Sequence, residues 1–300
     1  MKNSIIPRAL ETELRLLVQQ FPVVALTGPR QSGKTALVKR LFPERTYVSL
    51  EDLDNRSFAL EDPRGFLATY SKGVILDEAQ RAPDLFSYLQ TKVDETNEPG
   101  QYILTGSQNF LLLENITQSL AGRVALLKLL PLSLTELQSA NYSLTSLEEL
   151  LFRGFYPRLY KRTGINPSTW LSNYIQTYLE RDVRLIKNIT DLSVFQLFLK
   201  MCANRVGQPL NASELGNNCG ISHNTVLSWI ALFEASFIAY RLKPYHQNFN
   251  KRLMKMPKLY FYDTGIVCSL LDIRTPEQLK THPMRGPLFE NYVIALFSNV

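Results

Sequence analysis

The chain has little cysteine: three in 300 residues, at Cys202, Cys219 and Cys268. They are far apart and show neither a CxxC pair nor a Cys/His spacing, so neither a disulfide framework nor a structural zinc site is implied. They read as core thiols of a reducing compartment. Long hydrophobic runs are also missing. No uninterrupted apolar stretch approaches the roughly 20 residues that span a bilayer. Residues 1–10 carry Lys2 and Arg8 without an apolar signal core. The expectation is no membrane and a cytoplasmic location. There is no internal repeat or low-complexity tract. Thirty-three basic against 27 acidic residues give a net charge of +6 and a pI near 9.1. That surplus fits a polyanionic partner and is equally ordinary without one.

The first half alternates short apolar segments with stretches long enough for crossover helices. Residues 10–20 have a helical pattern through Leu14, Leu17 and Val18, ended by Phe21-Pro22. Strand candidates follow at 23–26, 46–50, 74–76, 102–104 and 124–127. Such alternation predicts an α/β fold with a parallel doubly wound sheet. Beyond about Pro131 the pattern turns helical, at 134–139, 147–152, 167–188, 192–204, 213–215 and 221–239. Strand-like segments 240–243 and 258–262 then follow. Helix, helix, helix, strand, strand is the order of a winged helix-turn-helix. From Arg285 a further apolar helix begins, with Phe289, Val293 and Phe297 at spacing four. The expected division is 1–135, 136–190 as a helical lid or linker, 191–275 as the winged helix, and 276–300 as the start of a third, truncated module.

Gly28-Pro29-Arg30-Gln31-Ser32-Gly33-Lys34-Thr35 meets every fixed position of GxxxxGK[ST], between a strand and a helix pattern. Gly28 and Gly33 let the backbone curl so that several N–H groups face one anion, and the helix start adds its positive end. Lys34 is expected to reach the β- and γ-phosphates of a nucleotide. The Thr35 hydroxyl is a candidate Mg2+ ligand, and Ala36 closes the binding segment.

Gly73 to Glu78 is a buried apolar strand ending in two carboxylates. Asp77 is the candidate for holding Mg2+ through its water shell, and Glu78 for activating the attacking water. The alternative is that the two acids cap the next helix. Residues 102–108, YILTGSQ, end another strand at the same sheet edge, where Thr105 or Ser107 can sense the γ-phosphate or serve as turn residues. Arg123, in the sequence Ala121-Gly122-Arg123, is a candidate arginine finger in its own or a neighbouring subunit, and hence a reason to consider a homo-oligomer. The competing reading is a surface ion pair.

GPRQSGKT, VILDEAQ, YILTGSQ and SLAGR together resemble the AAA-type ATPases of bacteria and archaea that carry a C-terminal domain of unknown function. Residues 46–67 and 173–184 are similar to further segments of that family. GPLFENYV, 286–293, resembles the opening of its nuclease-like tail, of whose acidic set only Glu290 is present. The resemblance implies binding and hydrolysis of ATP with Mg2+, Lys34 and Thr35 as nucleotide and metal ligands, Asp77 and Glu78 as the acid pair, Ser107 as sensor and Arg123 as finger. Nuclease chemistry by this chain is not implied.

Between Glu234 and Asp263 there is no acidic residue, whereas Arg241, Lys243, Lys251, Arg252, Lys255 and Lys258 occur there with His246. This basic segment, 241–258, is a candidate DNA contact. In the preceding helix Ser222, His223, Asn224, Thr225 and Ser228 can bond to bases, but 221–233 contains no lysine or arginine. A protein-docking role stands beside DNA. Glu180, Arg181, Asp182 and Arg184 read as helix-surface pairs, with nucleotide contact by one arginine as the alternative. Three functions are open: an ATPase that moves a C-terminal module, a nucleotide-gated binding or signalling module with little turnover, and a transcription regulator.

Overall fold

Apolar strands carry the first half of the structure. It is a computed structural model that describes residues 6–107, 109–143, 146–161, 164–179, 189, 191–245 and 256–298. The chain divides into two units, one of residues 7–130 and one of 131–300 with Ile6. In the first, β1 (Val23–Thr27), β2 (Thr46–Ser49), β3 (Val74–Asp77), β4 (Tyr102–Gly106) and β5 (Val124–Lys128) form one parallel sheet in the order β2-β3-β4-β1-β5. Each strand expected from the apolar runs is present. Alternate residues serve opposite layers. Val23, Ala25, Val74, Leu76 and Leu104 enter one core, while Val24, Leu26, Ile75, Ile103 and Leu127 enter the other. Burial on both faces explains why β1, β3 and β4 are continuous apolar runs.

Helices α1 (Glu11–Gln20) and α2 (Lys34–Leu41) supply Leu14, Leu37 and Leu41 to the second of these layers. The first is covered by α3 (Leu53–Glu61), α4 (Pro63–Thr69), α5 (Leu85–Thr96) and α6 (Asn109–Ser119), through residues such as Phe66, Leu89 and Ile116. Asp52 and Asp62 cap α3 and α4 by accepting from Asn55 N and Gly65 N. The parallel doubly wound sheet is thus the observed architecture of this unit.

The second unit begins with α7 (Leu134–Ser139), α8 (Leu147–Arg153), α9 (Arg158–Lys161) and α10 (Pro167–Tyr174), which passes into a π turn at Ile175–Leu179. The expected long helix therefore loosens after Tyr174, and 180–188 lie outside the described residues. Next come α11 (Leu192–Ala203), α12 (Ala212–Cys219) and α13 (His223–Ala235), then β6 (Ala239–Leu242) antiparallel to β7 (Lys258–Phe261). The helix expected to run to 239 stops earlier because Phe237 takes a left-handed φ of 56° and Ala239 pairs with Phe261. The unit closes with α14 (Thr264–Leu270), α15 (Pro276–Leu279) and α16 (Arg285–Ser298).

One core crosses the boundaries expected at 190 and 275. Tyr174, Phe195, Phe233, Leu279, Leu288 and Tyr292 belong to the same buried cluster. Residues 276–298 pack within this unit. Of the residues at spacing four on α16, Val293 packs against the core. Leu288, Asn291 and Tyr292 are buried, whereas Phe289 and Phe297 are 46% and 73% exposed. Asn291 explains the choice of face: its amide donates to Phe261 O (3.0 Å) and accepts from Phe261 N (2.7 Å), completing the backbone bonding of β7. All three cysteines are buried and free, as the sequence implied.

Candidate functional site

The loop after β1 has the backbone that its glycines allow. Gly28 has φ 146°, Gln31 60° and Gly33 99°. A Cβ on Gly28 would lie 2.2 Å from Leu129 O, so no other residue fits there without moving the chain. Ser32 N bonds back to Pro29 O at 3.3 Å. Lys34, at the first turn of α2, is buried and donates to Gly28 O (2.8 Å) and Pro29 O (2.9 Å). Burial lowers its pKa to about 8, with Glu78 and Asp77 acting in the opposite direction and Arg30 adding to the decrease. The Ser32 hydroxyl is buried without a hydrogen-bond partner. Ala36 lies exposed on α2. The loop thus holds a lysine ammonium and an unsatisfied hydroxyl in a backbone curl, which is the donor set of a phosphate cradle.

Arg8 was not anticipated. It is 9% exposed, and its guanidinium donates to Ser32 O (2.7 Å) and Leu130 O (2.6 Å). Partners 24 and 122 residues away in sequence leave no local signal.

Asp77, at the end of β3, is ringed by hydroxyls. Thr35 Oγ1 (2.9 Å) and Tyr47 OH (2.6 Å) donate to Oδ2, and Thr105 Oγ1 donates to Oδ1. Glu78 follows with a left-handed backbone, φ 54° and ψ 46°, uncommon for a residue with a side chain. Its Oε2 accepts from Gln80 Nε2 (2.5 Å), Ser107 Oγ (2.9 Å) and Ser107 N (3.3 Å). Gly106 makes room for this arrangement, since a Cβ there would lie 2.5 Å from Gln80 Oε1. The capping alternative fails, because Glu78 makes no side-chain cap to the 3-10 turn Ala79–Arg81 and Asp77 is engaged by the three hydroxyls.

Lys34, Thr35, Asp77, Glu78 and Ser107 therefore converge at the carboxyl ends of β1, β3 and β4, where doubly wound sheets bind ligands. Gln80 and Tyr47 join them. Gln80 was within reach of a sequence reading, two positions beyond Glu78; Tyr47 had no signal. Thr35 and Asp77 offer hard oxygen donors and fit Mg2+, which characteristically takes one or two protein ligands together with substrate phosphates. Among the described residues no three His, Cys, Asp or Glu side chains cluster as an all-protein metal site.

Arg123 is not brought to this site. It immediately precedes β5, whose Val124 pairs with Val23 at the amino end of β1, so about 16 Å of strand separates it from the loop's end of the sheet. Its guanidinium instead pairs with Asp94 at 2.5 and 2.9 Å. Within one subunit the finger reading is corrected to a surface ion pair.

The basic segment is also partly neutralised. Arg241 forms a two-pronged pair with Glu234 (2.9 and 2.6 Å), and Lys258 pairs with Glu290 (2.8 Å), which also accepts from Tyr260 OH (2.6 Å). The acid-free window began one residue after Glu234 and ended before Glu290. Ser222 caps α13 by accepting from Thr225 N at 3.1 Å, so it is not held out toward bases. His246, Lys251, Arg252 and Lys255, and likewise Glu180, Arg181, Asp182 and Arg184, lie outside the described residues. Among the described residues no helix is long and apolar enough to cross a membrane.

Comparison with known proteins agrees with this geometry. Residues 20–138 match an AAA domain, and residues 144–277 match a domain of unknown function (DUF8612). An uncharacterized protein of Mycobacterium tuberculosis is 31% identical over 291 residues, which cover 96% of this chain and 64% of that protein. One from Methanocaldococcus jannaschii is 24% identical over 296 residues, covering 87% of this chain and again 64% of the relative. The chain thus spans just under two thirds of the length of these relatives. Among solved structures, a Walker-type ATPase of Pyrococcus abyssi superposes with a TM-score of 0.59 at 15% identity, over 90% of this chain and 97% of its own, a likeness of fold. Residues 20–138 are thus similar to an AAA domain, and the phosphate loop and the acid pair both lie within that matched segment, at one end of its sheet.

Proposed function

We propose that this chain binds Mg-ATP through residues 28–36 and hydrolyses it to ADP and phosphate, and that the nucleotide state moves its C-terminal unit. The observation that supports this best is the convergence of Thr35 with Asp77, and of Ser107 with Glu78, at the same sheet edge as the Lys34 loop. Lys34 leaves Gly28 O and Pro29 O to reach the β- and γ-phosphates. Thr35 and Asp77 would hold Mg2+. Bound there, the ion neutralises charge on the transferred phosphoryl group. Glu78 takes the proton of the attacking water, and Ser107 orients that water or the γ-phosphate. Arg123 has a catalytic role only if a second copy of the chain presents it to this site.

Phosphate release with Mg-ATP tests the reading. Glu78→Gln is expected to lower it at least about 100-fold, the span of general-base catalysis, while Mg-ATP binding persists. If wild type and variant release phosphate at one background rate while nucleotide binds, hydrolysis is not the function.

Two observations favour a second reading, a nucleotide-gated DNA-binding regulator or signalling module with little turnover. Lys34 is folded onto its own loop and Glu78 is held by Gln80 and Ser107, so nucleotide has contacts to rearrange even without turnover. This reading predicts partner affinity that follows nucleotide state and survives Glu78→Gln. The winged-helix assignment is supported by the order α11, α12, α13, β6, β7, and its partner is a duplex DNA or a protein.

A further inference from the structure

We propose that Tyr47 is a positioning residue for the metal-holding carboxylate: its phenol fixes Asp77 Oδ2, and thereby sets how firmly the Thr35–Asp77 pair holds Mg2+. The inference rests on the Mg-nucleotide reading above. Tyr47 lies in β2, where it is in register with Ile75, two residues before Asp77 on β3. Alternation puts Val48 into one core, whereas Tyr47 packs against the other, to which α2 contributes. The long phenol leans along the strand, and its OH reaches Asp77 Oδ2 at 2.6 Å, the oxygen that also accepts from Thr35.

Three hydroxyls hold Asp77 in this structure, and they are not equivalent. Thr35 is itself the candidate metal ligand, so its hydroxyl turns from Asp77 to the ion when Mg2+ is bound. Tyr47 on Oδ2 and Thr105 on Oδ1 then remain as the donors that fix the plane of the carboxylate. Lys39 Nζ sits 3.3 Å from the Tyr47 ring centroid, a cation–π contact that orients the ring. Partners of this kind behind a metal-holding group typically govern affinity by tenfold to a hundredfold.

The test is ADP binding to the full chain by calorimetry, in EDTA and across a Mg2+ series. Tyr47→Phe keeps the ring and its packing and removes only the hydroxyl. Its ADP affinity in EDTA is expected to stay within about twofold of wild type, which also shows that the variant is folded. The Mg2+ concentration giving half of the metal's effect is expected to rise about tenfold or more. Lys39→Gln should shift it the same way and by less. An unchanged Mg2+ dependence in Tyr47→Phe overturns the inference while leaving the nucleotide reading intact. An equal loss of affinity with and without metal also overturns it, since Tyr47 is then structural. A wild type that binds ADP without any Mg2+ effect takes down the Mg-nucleotide reading and this inference together.

Discussion

Asp263 shows how far burial alone moves a residue's chemistry. It is fully enclosed and caps α14 by accepting from Ile266 N at 3.1 Å, while its other oxygen accepts from Phe155 N at 2.6 Å. Burial raises its pKa to about 6, against the opposing pull of the Phe155, Ile266 and Gly265 amides. The folded state therefore keeps a proton that the unfolded chain releases near pH 4, so stability falls as pH rises from about 4 to 6 and levels off above. Asp263→Asn should remove that component. Denaturant unfolding across this range is expected to show wild type losing about 3 kcal/mol relative to the variant between pH 4 and 6. Arg123→Ala should leave the melting temperature and nucleotide affinity of the isolated chain nearly unchanged, because its partner Asp94 lies in an exposed pair. At this scale the sequence disclosed what a fixed local spacing carries: Gly28, Gly33, Lys34, Thr35, Asp77 and Glu78. It concealed Tyr47 and Arg8, whose bonds join residues at least 24 positions apart.

Elements were legible to the extent that their periodicity was clean. Three of the five parallel strands, β1, β3 and β4, are buried along their whole length, β2 and β5 less so, and each of the five appears where the pattern placed it. The 236–239 run, Ser-Phe-Ile-Ala, has no period to separate a helix end from a strand start. Pairing with β7 decided it. On α16, spacing four through Phe289, Val293 and Phe297 does not by itself say which face is buried. Asn291 lies on the buried face, bonded to Phe261. Removing its amide strands Phe261 N–H and C=O in a buried setting, so Asn291→Ala is expected to cost about 3 kcal/mol. A lower thermal midpoint with unchanged ADP affinity below the transition would check that its effect is confined to its own unit. Gly28→Ala, with a Cβ driven against Leu129 O, should instead abolish nucleotide binding in a calorimetric titration.

For the whole molecule, the balance of charge is less basic in effect than in count. Of the six cations between 241 and 258, Arg241 and Lys258 are held by Glu234 and Glu290, while Lys251, Arg252 and Lys255 lie outside the described residues. If duplex DNA is the partner and each of the other four cations meets one phosphate, the slope of log affinity against log salt should be about −3.6, at about −0.9 per contact. A filter-binding series from 50 to 200 mM salt would read it, and a slope beyond about −5 would mean that those two pairs break on binding. The wider organisation also departs from the linear reading. Sequence segments that look like lid, winged helix and tail share one core from Leu132 to Tyr292. Local patterning was enough to establish the α/β sheet, the phosphate loop and the acid pair, because strand burial and backbone curl depend on neighbours within a few positions. Which hydroxyls grip Asp77, which donors hold Glu78, where Arg123 points and where one core ends were settled only by folding, since each depends on groups that chain distance separates and packing brings together.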